Sequence, residues 1–377
     1  MKYYPRILQK KMEDAIKPGK VLLLYGSRRV GKTELLKQIE KNFRGTVQMM
    51  NGEDYDTVRL LEERSVANYR RLFSSTELLI LDEAHQVPDI GRKLKLMVDE
   101  KPDLCVIASG SSAFQLLNQT MEPLAGRCRH FPMFPLSQGE LSVHETLLET
   151  TRNLEDRLIF GSYPEITSIE DIHERRRYLT DLTHSFLFKD VLSHEGVRNS
   201  SKVTDLLRLV AFQTGKEVSN EELGRQLGLS RNTVEKYLAM LSSVYLIFKL
   251  TGFSRNLRKE ISRNNKWYFY DNGVKNVLTG NFQPLALRTD YGELWENYLL
   301  SERIKKSSYN EDGCRFFFWR TYDQQEIDVI ESGGELLKAF EIKWKAKKTR
   351  MPAAWLEAYP DAGWQVITRE NYLEWIR

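Results

Sequence analysis

The most informative part of the sequence is Gly26-Ser27-Arg28-Arg29-Val30-Gly31-Lys32-Thr33, which fits the pattern G-x-x-x-x-G-K-[ST] at every position. An apolar run at 21–25 precedes it and predicts a buried strand, and the amphipathic stretch 32–42 that follows predicts a helix. A loop between a strand and a helix N-terminus turns several backbone amides toward one point. This order of elements therefore predicts a site for a triphosphate, and it argues against a chance turn.

The side chains of this loop predict contacts with ATP and Mg²⁺. Gly26 and Gly31 let the backbone curl, so that successive N–H groups point at the phosphates. Lys32 is expected to reach the β- and γ-phosphates and to act in catalysis. Thr33 is expected to ligate Mg²⁺ through its hydroxyl group.

A second motif, Leu78-Leu79-Ile80-Leu81-Asp82-Glu83, is an apolar run that ends in two acids. At the tip of a strand, Asp82 can hold Mg²⁺ through water, and Glu83 can polarise the water that attacks the γ-phosphate. Such a run is weak evidence alone, but it is strong evidence downstream of a complete phosphate loop. The predicted nucleotide-binding residues are Gly26, Ser27, Arg28, Arg29, Val30, Gly31, Lys32, Thr33, Asp82 and Ser109.

Two further positions near this site have two interpretations each. The predicted strand 104–108 ends in hydroxyl residues, and Ser109 or Ser111 is expected to sense the γ-phosphate; the alternative is a helix cap or a turn of small residues. Arg127 is a candidate arginine finger that stabilises charge on the transferring phosphoryl group. The alternative for Arg127 is a structural ion pair.

Apolar runs alternate with amphipathic stretches between residues 20 and 110, which predicts an α/β domain with a parallel sheet covered on both faces. The predicted strands are 21–25, 46–50, 77–81 and 104–108, and the predicted helices are 32–42, 58–73 and 90–99. Residues 111–200 are expected to be mostly helical.

Residues 220–227 and 231–241 predict two helices joined by a tight turn, with Ser219 and Ser230 as N-caps. The second helix is expected to present polar side chains outward, as a helix-turn-helix does to the DNA major groove. These candidate DNA-binding residues are Arg231, Asn232, Thr233 and Lys236. A wing at 244–266 would add Arg255, Arg258, Lys259, Arg263 and Lys266. The alternative is a winged helix used for packing or for protein contact.

Charge supports the nucleic-acid interpretation only in this region. The whole chain has a net charge of +4, but residues 201–266 hold 12 Lys and Arg against 6 Asp and Glu. A basic segment in a nearly neutral protein is typical of a surface that binds phosphate backbones, although a solvated basic face has the same composition.

The C-terminal part contains a candidate second metal site. Glu296 lies on a predicted helix at 293–305, Asp328 ends a strand-like run, and Glu341-Ile342-Lys343 follows on the next strand, where alternation puts Glu341 and Lys343 on one face. Acids beside a lysine can bind a divalent cation and position a water molecule for phosphodiester cleavage. A hairpin with solvated charges explains the same residues.

Composition limits the class of protein. The 377 residues suggest two or three domains. Cys105, Cys128 and Cys314 are far apart and form no disulfide framework, so a reducing compartment, the cytoplasm, is expected. No run approaches the ~20 apolar residues of a membrane span. A secreted scaffold, a collagen and an integral membrane protein are therefore not expected.

The motifs resemble one known family. The loop 26–33 with its Arg-Arg-Val interior, the turn 81–86 and the strand end 109–112 look like those of prokaryotic AAA+-type ATPases of the archaeal and Bacteroides kind. Gly161-Ser162-Tyr163-Pro164-Glu165 is similar to the family's Gly-Gly-Tyr-Pro element, with Ser162 in place of the second glycine, and 266–274 is similar to its later strand and turn. The resemblance implies ATP and Mg²⁺ binding, with hydrolysis, but no defined substrate. The pattern Glu296, Asp328, Glu341-x-Lys343 also resembles restriction-endonuclease-like proteins.

These observations predict an α/β fold with a P-loop NTPase (AAA+-like) parallel-sheet domain, a helical and winged-helix region, and a restriction-endonuclease-like α/β domain. The predicted domains are 1–140, 141–200, 201–280 and 281–377. One functional hypothesis is an ATPase whose C-terminal half engages DNA. The other is an ATP-driven switch that binds a protein partner without nucleic acid. A small-molecule kinase is a weaker third, and both main hypotheses are compatible with an oligomer.

Overall fold

The structure is a computed structural model that describes residues 3–110, 116, 119–120, 122–185, 200–254, 265–321, 323–334, 336–345 and 349–377. Within these residues the chain forms two compact units. One unit contains the residues up to Phe134 together with Ser243–Tyr245, and the other contains residues 135–242 and 246–377. No helix in the described part of the chain has the length and apolar character of a membrane span.

The N-terminal unit is built on a five-stranded parallel sheet with the order β2-β3-β4-β1-β5. Its strands are β1 (Val21–Tyr25), β2 (Val47–Asn51), β3 (Leu78–Asp82), β4 (Cys105–Gly110) and β5 (Cys128–Pro132). Its helices are α1 (Ile7–Ala15), α2 (Lys32–Asn42), α3 (Tyr55–Leu60), α4 (Val66–Leu72) and α5 (Ile90–Glu100).

Burial explains why β1, β3 and β4 form the interior of the sheet. Every residue of β1, β3 and β4 is buried, as expected for parallel strands with both faces covered. The helix α2 packs Leu35, Leu36 and Ile39 into the core, each fully buried. The predicted α/β class with a P-loop NTPase-like parallel sheet is confirmed. The interior strand β1 is followed directly by the glycine loop and then by the helix α2.

The second unit joins helices to a seven-stranded mixed sheet with the order β12-β11-β10-β9-β7-β8-β6. Its strands are β6 (Glu217–Val218), β7 (Ile247–Gly252), β8 (Asn265–Phe269), β9 (Arg315–Arg320), β10 (Glu326–Gly333), β11 (Leu336–Ile342) and β12 (Gly363–Ile367). Its helices are α6 (Gln138–Leu141), α7 (Leu147–Arg152), α8 (Leu154–Phe160), α9 (Ile172–Ser185), α10 (Ser200–Phe212), α11 (Asn220–Leu227), α12 (Arg231–Ser243), α13 (Asn272–Thr279), α14 (Tyr291–Asn310), α15 (Ala353–Ala358) and α16 (Tyr372–Ile376).

This sheet changes the predicted domain organisation. The first boundary, expected near 140, falls after Phe134. The described residues of 141–200, 201–280 and 281–377, which were expected as three domains, lie in one unit except for Ser243–Tyr245. The reason is a parallel pairing between β7 and β9, in which Thr251 lies opposite Phe317 and Gly252 opposite Phe318. Strands on either side of the predicted boundary at 280 thus share one ladder of backbone hydrogen bonds.

Candidate functional site

The loop at 26–33 connects β1 to α2, and two glycines are required for its shape. A Cβ atom on Gly26 would lie 1.9 Å from the carbonyl oxygen of Met133, so no side chain fits there. Gly31 precedes α2 with a φ of 98°, which glycine adopts without steric cost. The Lys32 side chain folds over the loop, and its ammonium group donates to the carbonyl oxygens of Gly26 at 2.9 Å and Ser27 at 3.0 Å.

Arg6 anchors this loop from the start of the chain. Its guanidinium donates to the carbonyl oxygens of Val30 and Phe134, both at 2.6 Å, and the residue is buried. Inside the loop, Val30 is buried, Arg28 is half-buried and Arg29 is exposed. The arginine that the structure assigns to loop shape is therefore Arg6, which lies outside the motif.

The carboxyl ends of three neighbouring strands bring the predicted acid and hydroxyl residues together. Asp82 at the end of β3 accepts a hydrogen bond from the Thr33 hydroxyl at 2.7 Å through one carboxylate oxygen. Its other oxygen accepts a short hydrogen bond from Ser109 at the end of β4. Side chains that follow parallel strands meet at one edge of the sheet, which is where ligands bind in such folds. Asp82 and Ser109 are buried, whereas Thr33 reaches the surface.

Glu83 follows Asp82 in a left-handed backbone conformation with a φ of 49°. Its backbone N–H faces the Asp82 carboxylate at 3.1 Å and the Ser109 hydroxyl at 3.2 Å. The Glu83 carboxylate lies 3.3 Å from Nδ1 of the His85 ring. The two adjacent acids thus have different neighbours, Asp82 contacting Thr33 and Ser109.

Arg127 lies at the amino-terminal ends of these strands, opposite the carboxyl ends where the loop lies. Its carbonyl oxygen accepts from the backbone N–H of Val21, the first residue of β1, so it sits at the end of the strand opposite the loop. Its guanidinium pairs with Asp99 at 2.7 Å. The structural ion pair is the observed arrangement, and the expectation that Arg127 acts at this site is corrected for the phosphate loop of its own chain. Ser111, the other predicted phosphate sensor, lies outside the described residues, as does Ser112.

The two helices α11 and α12 form as the sequence predicts. Ser219 caps α11 by accepting from the backbone N–H of Glu221, and Ser230 caps α12 by accepting from that of Thr233. The turn between the helices closes through a 2.8 Å bond from the Leu229 N–H to the Gly224 carbonyl oxygen. The two helices share an apolar core in which Leu229 is half-buried and the other members are buried; these are Leu223, Leu227, Val234, Leu238 and Leu241.

The outward face of α12 carries the predicted polar residues. Arg231, Asn232 and Lys236 are exposed, and Thr233 is half-buried with its hydroxyl 2.8 Å from that of Ser230. Arg231 makes a solvent-exposed ion pair with Glu221 at 3.2 Å, a type of contact that contributes little to stability. These side chains are therefore accessible to a ligand.

The structure contradicts the prediction that Lys266 is a wing residue that contacts DNA. Its residue is only 3% exposed, its ammonium pairs with the Glu326 carboxylate at the start of β10, and it lies over the Phe318 ring. A buried, paired ammonium does not contact a DNA backbone, so Lys266 leaves the set of wing residues. The remaining predicted wing residues, Arg255, Arg258, Lys259 and Arg263, lie outside the described part of the chain.

The C-terminal acids are brought near one another, but internal partners hold them. The Lys343 ammonium lies 2.6 Å from Glu341 and 3.9 Å from Oδ2 of Asp328, and the same Asp328 oxygen accepts from the Ile342 N–H at 2.7 Å. Glu296 on α14 accepts a 2.6 Å hydrogen bond from the Tyr268 hydroxyl instead. Among the described residues, no group of three or more His, Cys, Asp or Glu side chains is disposed to hold a metal ion. The predicted second metal site is therefore not assembled in these contacts.

Burial disturbs the protonation of this acidic cluster. Part of the Glu296 residue is accessible, but its carboxyl group is enclosed by protein, and this burial together with the charge of Asp328 raises the pKa of Glu296 to about 7. Burial also raises the pKa of Asp328, and burial with the charge of Asp328 raises that of Glu341. Burial and mutual repulsion thus disfavour the ionised form of these three carboxyl groups.

We expect Glu296→Gln to stabilise the protein more at pH 8 than at pH 5. Because the pKa of Glu296 is higher in the folded state than its ordinary value, the folded protein binds the proton more tightly, and stability falls as the pH rises from about 4.5 toward 7. Glutamine stays neutral and keeps an acceptor for the Tyr268 hydroxyl. Thermal melting should show a gain on the order of a few degrees at pH 8, whereas Glu357→Gln at an exposed position should show none. An equal gain at both pH values would contradict this assignment.

Comparison with known proteins agrees with the geometry of the N-terminal unit. Residues 18–142 match the model of an AAA domain. Residues 151–285 match a domain of unknown function (DUF8612), and residues 291–373 match another (DUF4143). The match of the first segment, on a sheet that carries a complete glycine loop, supports an ATPase of the AAA type.

Two relatives that match most of the chain are uncharacterized proteins. The chain is 24% identical over 375 residues to the uncharacterized protein MJ1544 of Methanocaldococcus jannaschii, covering 94% of this chain and 82% of that protein. It is 27% identical over 341 residues to the uncharacterized protein Rv2008c of Mycobacterium tuberculosis, covering 88% and 72%. Among solved structures, the Walker-type ATPase PABY2304 of Pyrococcus abyssi is similar with 15% identity and a TM-score of 0.49, covering 72% of this chain and 94% of that one.

Sequence reasoning missed three residues at these sites. Arg6 precedes the loop by twenty residues and belongs to no motif. His85 belongs to the turn 81–86, but the sequence pattern assigns it no role. Tyr268 lies inside an apolar strand, where an aromatic residue predicts only core packing. The partners of Arg6 and Tyr268 are distant in the sequence, so these residue types alone gave no signal, whereas the neighbours of His85 are the nearby residues Glu83 and Gln86.

Proposed function

We propose that the N-terminal unit binds and hydrolyses ATP with Mg²⁺. The observation that carries this proposal is the meeting of Lys32, Thr33, Asp82 and Ser109 at the carboxyl edge of the sheet. The Lys32 ammonium is held by loop carbonyl oxygens at the place where a triphosphate would compete for it. The AAA-domain match over the same residues supports the proposal.

The residues present fit a magnesium ion. The Thr33 hydroxyl and the Asp82 carboxylate are oxygen donors in direct contact, which is the ligand chemistry that Mg²⁺ prefers. When bound with the nucleotide, Mg²⁺ would neutralise charge on the phosphate oxygens. Lys32 would then pair with the β- and γ-phosphates, Ser109 would keep Asp82 oriented, and Glu83 would accept a proton from the attacking water.

Release of phosphate from MgATP, with no other acceptor present, tests this proposal. Turnover under these conditions also removes the small-molecule kinase hypothesis, because a kinase needs an acceptor. Absence of both nucleotide binding and turnover would remove the proposed function.

We further propose that the second unit engages DNA through α12. The element order helix, strand, helix, helix, strand, strand from α10 to β8, with β6, β8 and β7 paired antiparallel, supports a winged helix-turn-helix. The exposed residues Arg231, Asn232 and Lys236 on the second helix, and the excess of positive charge in 201–266, favour nucleic acid over a protein partner.

The double variant Arg231→Ala/Lys236→Ala is expected to weaken DNA binding by about tenfold or more and to reduce the salt slope of log K by about two, because two phosphate contacts are lost. The matched control is Lys41→Ala/Arg44→Ala, which removes two exposed positive charges from the other unit. A mobility-shift titration at several salt concentrations measures both quantities. No binding by the wild type at low salt would favour the protein-partner hypothesis instead.

The order of elements in the C-terminal segment supports a restriction-endonuclease-like fold, but the contacts of its acidic residues do not support cleavage of nucleic acid. From α14 to β12 its order is helix, three antiparallel strands, helix and a final strand parallel to the third. Fold does not imply activity, and two acids of its predicted site are held by internal partners, Glu341 by Lys343 and Glu296 by Tyr268. We therefore propose that this segment supports DNA engagement.

A further inference from the structure

We propose that His85 is a positioning residue that orients the carboxylate of Glu83 by donating a hydrogen bond from Nδ1. This inference rests on the proposed ATP hydrolysis and adds a residue with no role in the loop motif. His85 lies on a single 3-10 turn, Ala84–Gln86, directly after the acids of β3. Its side chain is only 3% exposed, and its Nδ1 lies 3.3 Å from the Glu83 carboxylate.

The partner of the other ring nitrogen determines which nitrogen carries the proton. The side-chain amide nitrogen of Gln86 lies 3.2 Å from His85 Nε2. In this orientation the Gln86 amide donates to Nε2, and the proton of a neutral ring then lies on Nδ1. Nδ1 is buried and makes no aligned hydrogen bond to the described residues, and the Glu83 carboxylate lies 3.3 Å from it, within reach of a small rotation.

Burial favours the neutral ring, because it is the largest influence and lowers the pKa of His85. The charges of Glu83 and Asp82 oppose this, and those of Arg28 and Lys32 lower the pKa further. A neutral donor can orient Glu83 without neutralising it, so the carboxylate keeps its ability to accept a proton.

The end of β4 leaves room for the imidazole. A Cβ atom on Gly110 would lie 3.1 Å from His85 Nδ1, a tighter contact than an ordinary van der Waals distance. Glu83 itself adopts the left-handed conformation that few residues other than glycine adopt. Such a backbone persists when its surroundings hold it in place and is common at functional sites. The backbone of Glu83 and the ring of His85 thus fix its carboxylate from two directions.

Three substitutions separate this role from a structural one. The amide nitrogen of asparagine lies near the place of imidazole Nδ1, whereas that of glutamine lies near the place of Nε2. We expect kcat for ATP to fall about tenfold or more in His85→Ala and His85→Gln, since a hydrogen bond to a charged group is lost, and to stay within about threefold in His85→Asn. KM and the Kd for ATP should stay within about twofold in all three. Equal losses in His85→Asn and His85→Gln would overturn the proposal.

A second measurement reads the ring directly and needs no turnover. The chain has six histidines, so a ¹⁵N-detected histidine NMR spectrum at pH 7 is simple, and His85→Asn assigns the signal of His85. We expect the Nδ1–H tautomer in the wild type and a change of its Nδ1 shift in Glu83→Gln. An Nε2–H tautomer or a charged ring would overturn the inference alone. The Nδ1–H tautomer in a protein that binds but does not hydrolyse ATP would support the contact and count against hydrolysis.

Discussion

Lys32→Ala is expected to weaken ATP binding at least about 100-fold and to abolish turnover, because it removes the charge-assisted bonds to the β- and γ-phosphates. In the structure the Lys32 ammonium is 2.9 and 3.0 Å from two loop carbonyl oxygens. It therefore lies over the loop, where a bound phosphate group would attract it. Equilibrium binding of a fluorescent ATP analogue and release of phosphate measure the two effects.

Lys37→Ala is the matched control for this experiment. Lys37 lies on the same helix, is exposed and pairs only with Glu34 among the contacts of the described residues. Its loss should leave binding and turnover unchanged, and melting curves of both variants should show whether the fold is retained. Binding by Lys32→Ala within about threefold of the wild type would contradict the role of the loop, because a lost ionic contact costs more than that.

Glu83→Gln is expected to bind ATP as the wild type does but to hydrolyse it about 10²–10⁴ times more slowly, the range for loss of a general base. Glutamine has almost the same shape, but its amide does not accept a proton from water. The bond between Thr33 and Asp82 does not involve Glu83, so the nucleotide site should remain intact. Phosphate release at saturating ATP, with Glu34→Gln on the exposed side of α2 as control, measures the effect. An unchanged rate in Glu83→Gln would remove Glu83 as the base.

Local sequence patterns predicted β1 to β4 well because each of these strands has its own signal, whereas β5 (Cys128–Pro132) lies in the stretch 111–200 that was expected to be mostly helical. The helix 32–42 was predicted with the bounds it has, since the glycine loop fixes its start. The stretch 58–73 was expected as one helix, but the structure has two, α3 and α4. Ser65 explains the break, because its hydroxyl caps a new helix by accepting from the Asn68 N–H.

The second unit was harder to predict because its organisation depends on pairings between distant strands. The parallel contact of β7 with β9 spans more than sixty residues and leaves no local pattern. The same is true of the burial of Lys266, since a lysine in a basic segment is more often a surface residue. Its partner Glu326 lies on β10, which follows β9 in the sequence.

The candidate ATP site shows the same division between motif and tertiary contact. Lys32, Thr33, Asp82 and Glu83 could be named from two short motifs, because the chemistry requires those residue types at those places. Sequence could not exclude Arg127, since only the register of β1 with β5 puts it at the opposite edge of the sheet.

The central claim is that the loop at 26–33 binds a triphosphate, and isothermal titration calorimetry of the purified protein with MgATP tests it most directly. The account predicts a saturable heat with one ATP bound per chain in the wild type, and no saturable heat in Lys32→Ala under the same conditions. Absence of saturable heat from the wild type, or equal heats from both proteins, would contradict it.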